Sequence, residues 1–306
     1  MRAIVIDEYG GVDKLKLVDL PVPEAGEHEI LVQIKAAGVN AVDTYFREGF
    51  LDSKHFPLIM GSDFAGVVTA IGSKVSEFKV GDEVYGYKYL GNGTYCEYMA
   101  IPTEFAAIKP KGISFKEAAA IPCAGLIAYD CLVNTIGLKS GETVMITGAG
   151  GGVGSFAVQI AKHLGAKVIA VSGPDGQEYL RKLGADEIVD YTKGDYVQAV
   201  RKLYPQGVDT ALAAADPTIA TAIGAVKDNG RMTWTAGPKG AAPERGIEAT
   251  YTNGSRGTAL LDAFTKLVEA GAVKVYIDTT YTLDQAAEAQ EEVRKGHAQG
   301  KLVIKL

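Results

Sequence analysis

The sequence predicts an α/β protein in two parts, a turn-rich β-barrel followed by a doubly wound parallel sheet. Three observations carry that expectation. At 306 residues the chain exceeds the size at which one hydrophobic core usually stops growing, so two domains of about 150 residues each are expected. The hydrophobic period changes near Lys116, from short alternating runs to longer helical ones. A glycine-rich turn at 148–154 joins an apolar run to a helical one, which is how a nucleotide-binding βαβ unit begins.

Along the first hundred residues the expected strands are 2–6, 15–19, the alternating Ile30, Val32, Ile34 and Ala36, then 64–71 and 95–99. Pro21, Pro23, Gly26, Gly61, Gly66, Gly72, Gly81 and Gly86 punctuate them, a density of turns that suits a barrel better than an open α/β sheet. After Lys116, EAAAIPCAGLIAYDCLVNTIG reads as a helix interrupted at Pro122, because proline disfavours helical geometry in the residue before it. Strand 143–147, helix 155–164, strand 167–171, helix 176–183 and strand 187–189 give βαβαβ. Helix 195–203, strand 208–212, helix 217–226 and strand 231–234 complete a parallel sheet of about six strands. The tail reads as strand 247–251, helix 258–270, strand 275–281, helix 283–295 and strand 302–305. Periodicity alone leaves open whether its last two strands extend the nucleotide sheet or return to the barrel.

A formal net charge of −6 argues against a broad nucleic-acid-binding surface, so no nucleic-acid partner is expected. Asp7 and Glu8 stand where a signal peptide would have its apolar core, and no uncharged apolar run reaches the roughly 20 residues that span a bilayer. A soluble, cytoplasmic protein without a membrane partner is the expectation. Cys96, Cys123 and Cys131 make no close CxxC pair, which supports neither a disulfide framework nor a four-thiolate zinc lobe.

In VMITGAGGGVGSFAVQIAKHLGAKVIAV, Ala149, Gly151 and Gly154 occupy the three positions of a dinucleotide turn, with alanine in place of the first glycine. Ala157 and Ala161 give the following helix a small-residue face for close packing on the sheet. The candidate cofactor residues are Gly148, Ala149, Gly151, Gly152, Val153 and Gly154, since amides near 151–155 at the positive end of a helix suit a pyrophosphate. A ligand-free connector and a flavin site are the alternatives. Nineteen residues beyond Gly154, where a carboxylate would hold the adenosine ribose of NAD, stands Gly173, preceded by Ser172. That leaves room for a 2′-phosphate and makes NADPH the expected cofactor; Asp175, two residues on, keeps NADH open. Arg181 and Lys182 are nearby basic candidates or simply solvent-facing helix residues.

Six segments then carry a resemblance: AAGVNAVDTYFREG at 36–49, GSDFAGVVTAIGSKVSEFKVGDEV at 61–84, AAAIPCAGLIAY at 118–129, the glycine turn, LGADEIVDY at 183–191 and the closing GHAQGKLVIKL. Together they resemble the quinone oxidoreductase branch of the medium-chain dehydrogenase/reductase superfamily, whose zinc-free members reduce quinones or activated enones with NADPH. The resemblance implies a GroES-like barrel domain at 1–120, a Rossmann domain at 121–264 and a C-terminal return to the substrate domain at 265–306, with a homodimer through the Rossmann domain. In zinc-using relatives the metal ligands are a Cys at the position of Asn40, a His at that of Ser62 and a Cys at that of Cys123. Only Cys123 remains, too few for a catalytic zinc, so no metal is expected.

By the same resemblance Asn40, Asp43 and Tyr45 line the substrate and nicotinamide pocket, and Tyr191 lies against the adenosine 2′-phosphate. Two departures weaken the pattern: Gly176 stands where some relatives have a basic residue, and Ile127 replaces the usual threonine beside the nicotinamide. The implied chemistry is hydride transfer to an electron-poor quinone or enone, with Tyr45 or Asn40 stabilising charge on the acceptor oxygen and Ser62 a weaker donor. The structural alternatives are that Asn40 orients the loop, Asp43 caps the short helix through Arg47, and Tyr45 packs. Lys301 is a further donor candidate, or a structural or solvent-facing residue of the last strand. The rival functions are an NAD(P)-dependent reductase or dehydrogenase of another carbonyl substrate, and a dinucleotide-sensing or RNA-binding protein with little turnover.

Overall fold

The computed structural model describes residues 1–50, 55–88, 93–235, 240, 242–252, 254 and 257–306. Its strands begin with β1 (Arg2–Ile6), β2 (Lys16–Asp19), β3 (Glu29–Val39), β4 (Leu58–Ile59), β5 (Asp63–Ile71), β6 (Glu83–Tyr87), β7 (Tyr98–Pro102) and β8 (Ala106–Ile108). Helix α1 (Ala41–Arg47) follows β3, and α2 (Phe115–Ala119) follows β8. The alternation read in the sequence at Ile30, Val32, Ile34 and Ala36 places all four side chains in the core, because successive residues of a strand point to opposite faces.

The strand β3 is long enough to serve two partners on one edge. Residues 29–33 pair with β7 and 36–39 with the last strand of the chain, while β5 takes the other edge. Pro122 divides the next helical run as expected, but the break is wider than one residue. A capping box formed by Ser114 and Glu117 starts α2, and α3 (Pro122–Tyr129) then runs into a π-helical turn at Asp130–Thr135.

The second unit contains β9 (Thr143–Thr147), α4 (Gly152–His163), β10 (Lys167–Ser172), α5 (Gln177–Leu183), β11 (Glu187–Asp190), α6 (Tyr196–Leu203) and β12 (Val208–Ala213). It continues through α7 (Ile219–Ala222), β13 (Val226–Trp234) and β14 (Glu248–Tyr251). Among the described residues these strands form one parallel sheet in the order β11-β10-β9-β12-β13-β14, the doubly wound arrangement expected from the sequence. Met145, Ile169, Val171, Ala211, Met232 and Trp234 contribute to its buried core. The expected helix at 217–226 is only one short α-helical segment flanked by 3-10 turns, Asp216–Thr218 and Ile223–Ala225. Pro217, Gly224 and the β-branched Thr218, Ile219, Thr221 and Ile223 lower helix propensity throughout that stretch.

The tail is α8 (Thr258–Glu269), β15 (Ile277–Thr282), α9 (Ala286–Lys295) and β16 (Lys301–Lys305). The strand β16 pairs antiparallel with β3 and parallel with β15, so the last two strands return to the barrel. The observed units are Met1–Ala124 with Arg256–Ala270 and Val275–Leu306, and Gly125–Ser255 with Gly271–Lys274. These units divide after Ala124 and around 270–275, where the sequence reading divides at 120/121 and 264/265. A break after 264 would cut α8, which is held to the barrel where the Tyr85 hydroxyl meets Leu261 O at 2.8 Å and Thr265 Oγ1 at 2.9 Å. Residues 271–274 go with the second unit, where Gln159 and Lys274 exchange two hydrogen bonds, Nε2 to O at 3.0 Å and N to Oε1 at 2.8 Å. Among the described residues no helix is long and apolar enough to cross a membrane.

Tyr85 is fully buried and its hydroxyl ties α8 to the barrel. Replacing it with phenylalanine keeps the ring and removes only that tie. Tyr85→Phe is expected to lower stability by about 1–2 kcal/mol, read as a lower urea midpoint with an unchanged m-value.

Candidate functional site

In the second unit the turn from β9 to α4 is built by steric necessity at two glycines and by none at two others. Gly148 has φ of 63°, in the left-handed region that other L-residues rarely enter. A Cβ on Gly154 would lie 2.2 Å from Gly148 O and 2.6 Å from Ala149 Cα, so only glycine lets α4 close onto the turn. By contrast, a Cβ on Gly150 or Gly151 would meet its nearest protein atom only at 3.7 and 3.5 Å. The protein's own packing does not demand glycine there, and the bare backbone leaves open space for a ligand to approach. The helix begins at Gly152, three residues before the expected start, and no side chain caps it. Its first-turn amides, those of Gly152, Val153 and Gly154, are thus left for an anionic group at the positive end of a 12-residue helix.

Ala149 serves the packing behind the turn, with its side chain fully buried and its N–H reaching Val171 O at 3.5 Å. At the end of β10, Ser172 and Gly173 are half-buried, and a Cβ on Gly173 would come within 3.3 Å of the hydroxyl of Tyr191, which is itself exposed. A carboxylate-bearing side chain at 173 would therefore press on Tyr191. Nearby, Lys182 pairs with Glu178 at 2.8 Å, and Arg181 Nη2 lies 3.5 Å from Gln177 Oε1. Asp175 is exposed.

In the barrel unit, five element ends bring a buried polar cluster together. Asn40, just before α1, donates its backbone N–H to Asp43 Oδ2 at 2.9 Å, half of a capping box that fixes the start of the helix. Its side-chain amide donates to Asp63 Oδ2 at 2.9 Å and to Ser62 Oγ at 3.3 Å, where β5 begins. Ser62 donates to Asp43 Oδ1 at 2.7 Å, and the Tyr95 hydroxyl donates to Asp43 Oδ2 at 2.9 Å. The Cys123 N–H, at the start of α3, donates to Asp63 Oδ1 at 3.0 Å. From the first residue of β16, the Lys301 ammonium donates to Val39 O at 3.0 Å and to Asn40 Oδ1.

Burial dominates the electrostatics of this cluster. It pushes the Asp63 carboxyl up to about 7, against the pull of the Lys301 ammonium and the Asn40 amide. It raises Asp43 as well, although three hydrogen bonds and Lys301 favour the ionised form. Tyr95 is driven far above its ordinary range by burial and by the adjoining Asp43. Two carboxylates thus share one buried ammonium.

The expected substrate and donor roles are accordingly redistributed. Asn40 is 6% exposed and both amide hydrogens are committed; Asp43 and Ser62 are 0% exposed and committed to each other. In this arrangement Asn40, Asp43 and Ser62 are bonded to one another and to the residues around them, which supports the structural alternative for each. The alternative reading of Asn40 as the residue that orients the loop matches the geometry. Asp43 caps α1 through Asn40 rather than through Arg47, whose guanidinium bonds Gly10 O, Gln290 and Glu48. Tyr45 alone of the set remains accessible, at 48% exposure, with its ring tilted against Phe50 and no hydroxyl partner among the described residues. Lys301 is not solvent-facing but 4% exposed. Asp63 and Tyr95 join the cluster without standing among the residues expected from sequence; the available signal is a charged residue embedded in an apolar strand run, as in GSDFAGVV and GKLVIKL.

This cluster does not fit a zinc ion. The side chains at two of the three positions implied as ligands are an amide and a hydroxyl, and an ammonium donates to the amide oxygen. Among the described residues no group of three or more His, Cys, Asp and Glu side chains is arranged to hold a metal.

Two family models match the chain: an alcohol dehydrogenase GroES-like domain at residues 26–111 and a zinc-binding dehydrogenase domain at 152–258. The quinone oxidoreductase of Homo sapiens is 33% identical over 100% of this chain and 98% of its own length. The 2-methylene-furan-3-one reductase of Solanum lycopersicum is 35% identical over 99% of this chain and 79% of its own. The Escherichia coli quinone oxidoreductase, solved in complex with NADPH, superposes with a TM-score of 0.90 at 27% identity, with both chains covered fully. With a GroES-like barrel, a doubly wound sheet and end-to-end similarity to these reductases, the chain belongs to the quinone oxidoreductase branch of the medium-chain dehydrogenase/reductase superfamily.

Proposed function

We propose that the protein is an NADPH-dependent, zinc-independent reductase of quinones and activated enones. The observation that carries the reading is the glycine turn, whose Gly150 and Gly151 are bare without any packing need and whose helix is left uncapped. The names of the human, tomato and Escherichia coli relatives support the acceptor class and the cofactor. When bound, the reduced nicotinamide supplies the hydride that an electron-poor acceptor takes up.

In this reading the amides of Gly152, Val153 and Gly154 hold the pyrophosphate, with Gly148, Ala149 and Gly151 shaping the turn, where the Gly151 N–H is donated to Gly148 O, and with no side chain on Gly151 to block the approach. Ser172, Gly173 and Tyr191 receive the adenosine ribose and its 2′-phosphate, since position 173 has no carboxylate to repel it. Tyr45 donates a hydrogen bond to the acceptor oxygen as negative charge develops there, and solvent supplies the proton. Asn40, Asp43 and Ser62 act behind Tyr45, fixing the start of its helix. NADH is the second reading of the cofactor, favoured by the exposed carboxylate of Asp175 two residues beyond Gly173. A cytoplasmic homodimer through the parallel-sheet unit is part of the proposal; β14 supports it as an edge strand, with a sheet neighbour on one side only among the described residues.

The test is NADPH oxidation by purified protein, without added metal, with quinone, enone and aldehyde panels, and the reverse reaction, NADP+ reduction, with an alcohol panel. Turnover is expected with quinones or enones; binding without turnover on any panel would leave a dinucleotide sensor, and turnover confined to aldehydes or alcohols would select another carbonyl substrate. Tyr45→Phe is expected to lower kcat roughly tenfold to a hundredfold, as befits one lost transition-state hydrogen bond, with the NADPH Kd unchanged. In matched titrations NADPH should bind more tightly than NADH. A folded Gly154→Val variant should lose both cofactors, because its Cβ cannot share space with Gly148 O.

A further inference from the structure

We propose that Lys301 is a positioning residue for acceptor reduction: its buried ammonium holds the amide of Asn40 and, through it, Ser62, Asp63 and Asp43, so that α1 starts at a fixed point and presents Tyr45 in a fixed place. The proposal rests on the reading of the protein as a quinone or enone reductase with Tyr45 at the acceptor. Lysine is almost never this deeply buried unless its charge is answered. Here the answers are internal, Val39 O and Asn40 Oδ1, so Lys301 reaches the reaction only through other residues.

The side chain of Asn40 has one oxygen and two amide hydrogens, and all are assigned. With Lys301 on the oxygen, the NH2 group is forced toward Asp63 and Ser62, which accept. Were the amide reversed, an NH2 would face an ammonium and a carbonyl oxygen would face a carboxylate. Lys301 therefore sets the orientation on which the rest of the cluster depends. It is also the cation that attracts both Asp43 and Asp63. The charged and titratable groups meeting here come from every packed element: Lys301 from β16, Asp43 from α1, Asp63 from β5, and Tyr95 from the segment before β7. Removing the ammonium leaves the Asn40 oxygen without its donor and the two carboxylates without a counter-charge. Removing one carboxylate as well restores part of the balance.

The experiment compares full-length wild type, Lys301→Met, Asp63→Asn and the double variant by NADPH titration, acceptor steady-state kinetics and urea unfolding. Lys301→Met is expected to lower acceptor kcat/KM by about tenfold or more while the NADPH Kd stays within about twofold, and the double variant is expected to recover most of that loss. Acceptor kinetics within about twofold of wild type in Lys301→Met, or a double variant whose loss is the product of the two single losses, would overturn the proposal. If Lys301→Met does not fold, the double variant decides: a folded, NADPH-binding double supports charge pairing, and an unfolded one overturns it. A wild type that binds NADPH but reduces no quinone or enone removes the functional reading instead. The clamp is then decided by the urea midpoints, which must show the same recovery in the double variant.

Discussion

A buried ammonium must find its partners inside the protein, and the position of Lys301 shows how far that requirement reaches. Its two acceptors, Val39 O and Asn40 Oδ1, stand at the end of β3 and just before α1. From Asn40 the hydrogen bonds pass to the start of β5 at Ser62 and Asp63, from Asp63 to the start of α3 at Cys123, and from Ser62 to Asp43 and on to Tyr95. Separate element ends are thereby tied at one point. The tie is sensitive to register: β16 pairs Leu302 with Val39 and Val303 with Gly38, which puts Lys301 beside Asn40. A slip of one residue would send the ammonium to the opposite face and leave two buried carboxylates unanswered.

The second unit solves its own problem by the opposite means, with backbone in place of charge. No ion pair is needed where β9 meets α4; Gly148 takes a left-handed turn and Gly154 lets the helix touch the backbone behind it. The consequence is a helix terminus with free amides and no side chain in front of them. Rigidity there comes from contact that a single methyl group would destroy, whereas rigidity around Asn40 comes from hydrogen bonds that a single missing proton donor would reassign. Errors in the two regions therefore have different signatures, loss of nucleotide affinity in one and loss of orientation in the other.

What the sequence makes legible follows the same division. Strands whose pattern is local are read well: 2–6 and 143–147 coincide with β1 and β9, and the parallel pairing of the second sheet follows from the alternation of strands and helices. The glycine turn is legible because its chemistry is contained in seven consecutive residues. The start of α4 lies earlier than propensity suggests, because glycine is a poor helix former and packing against the sheet overrides that preference at 152–154. The barrel cluster is legible only as residue types. That Asn40 is spent on Ser62 and Asp63, 22 and 23 residues away, and on Lys301, 261 residues away, depends on pairings that no local pattern encodes. The same limit explains why no local pattern assigns α8 to a unit, since it is bonded to the barrel by Tyr85, 176 residues earlier.

The cluster also bears on which acceptors suit this chain. Where zinc-using relatives are implied to place a dication with an open coordination site, this protein places an amide, a hydroxyl and, donating to that amide, a lysine. An ammonium whose named acceptors are both internal, on a side chain 4% exposed, cannot polarise a substrate oxygen directly. The accessible donor left at the start of α1 is the phenol of Tyr45. A single hydrogen bond from a neutral phenol stabilises a localised alkoxide less than a metal ion does, since metal coordination supplies several kcal/mol of charge stabilisation and a hydrogen bond to a charged oxygen about 1.5–3 kcal/mol. Reduction of a simple aldehyde produces such a localised charge, whereas reduction of a quinone or an enone spreads it over a conjugated system before it reaches oxygen. A site that holds an internal cation, where zinc-using relatives are implied to hold a metal, is therefore matched to acceptors that carry their own means of delocalising charge, which is the acceptor class proposed for this protein.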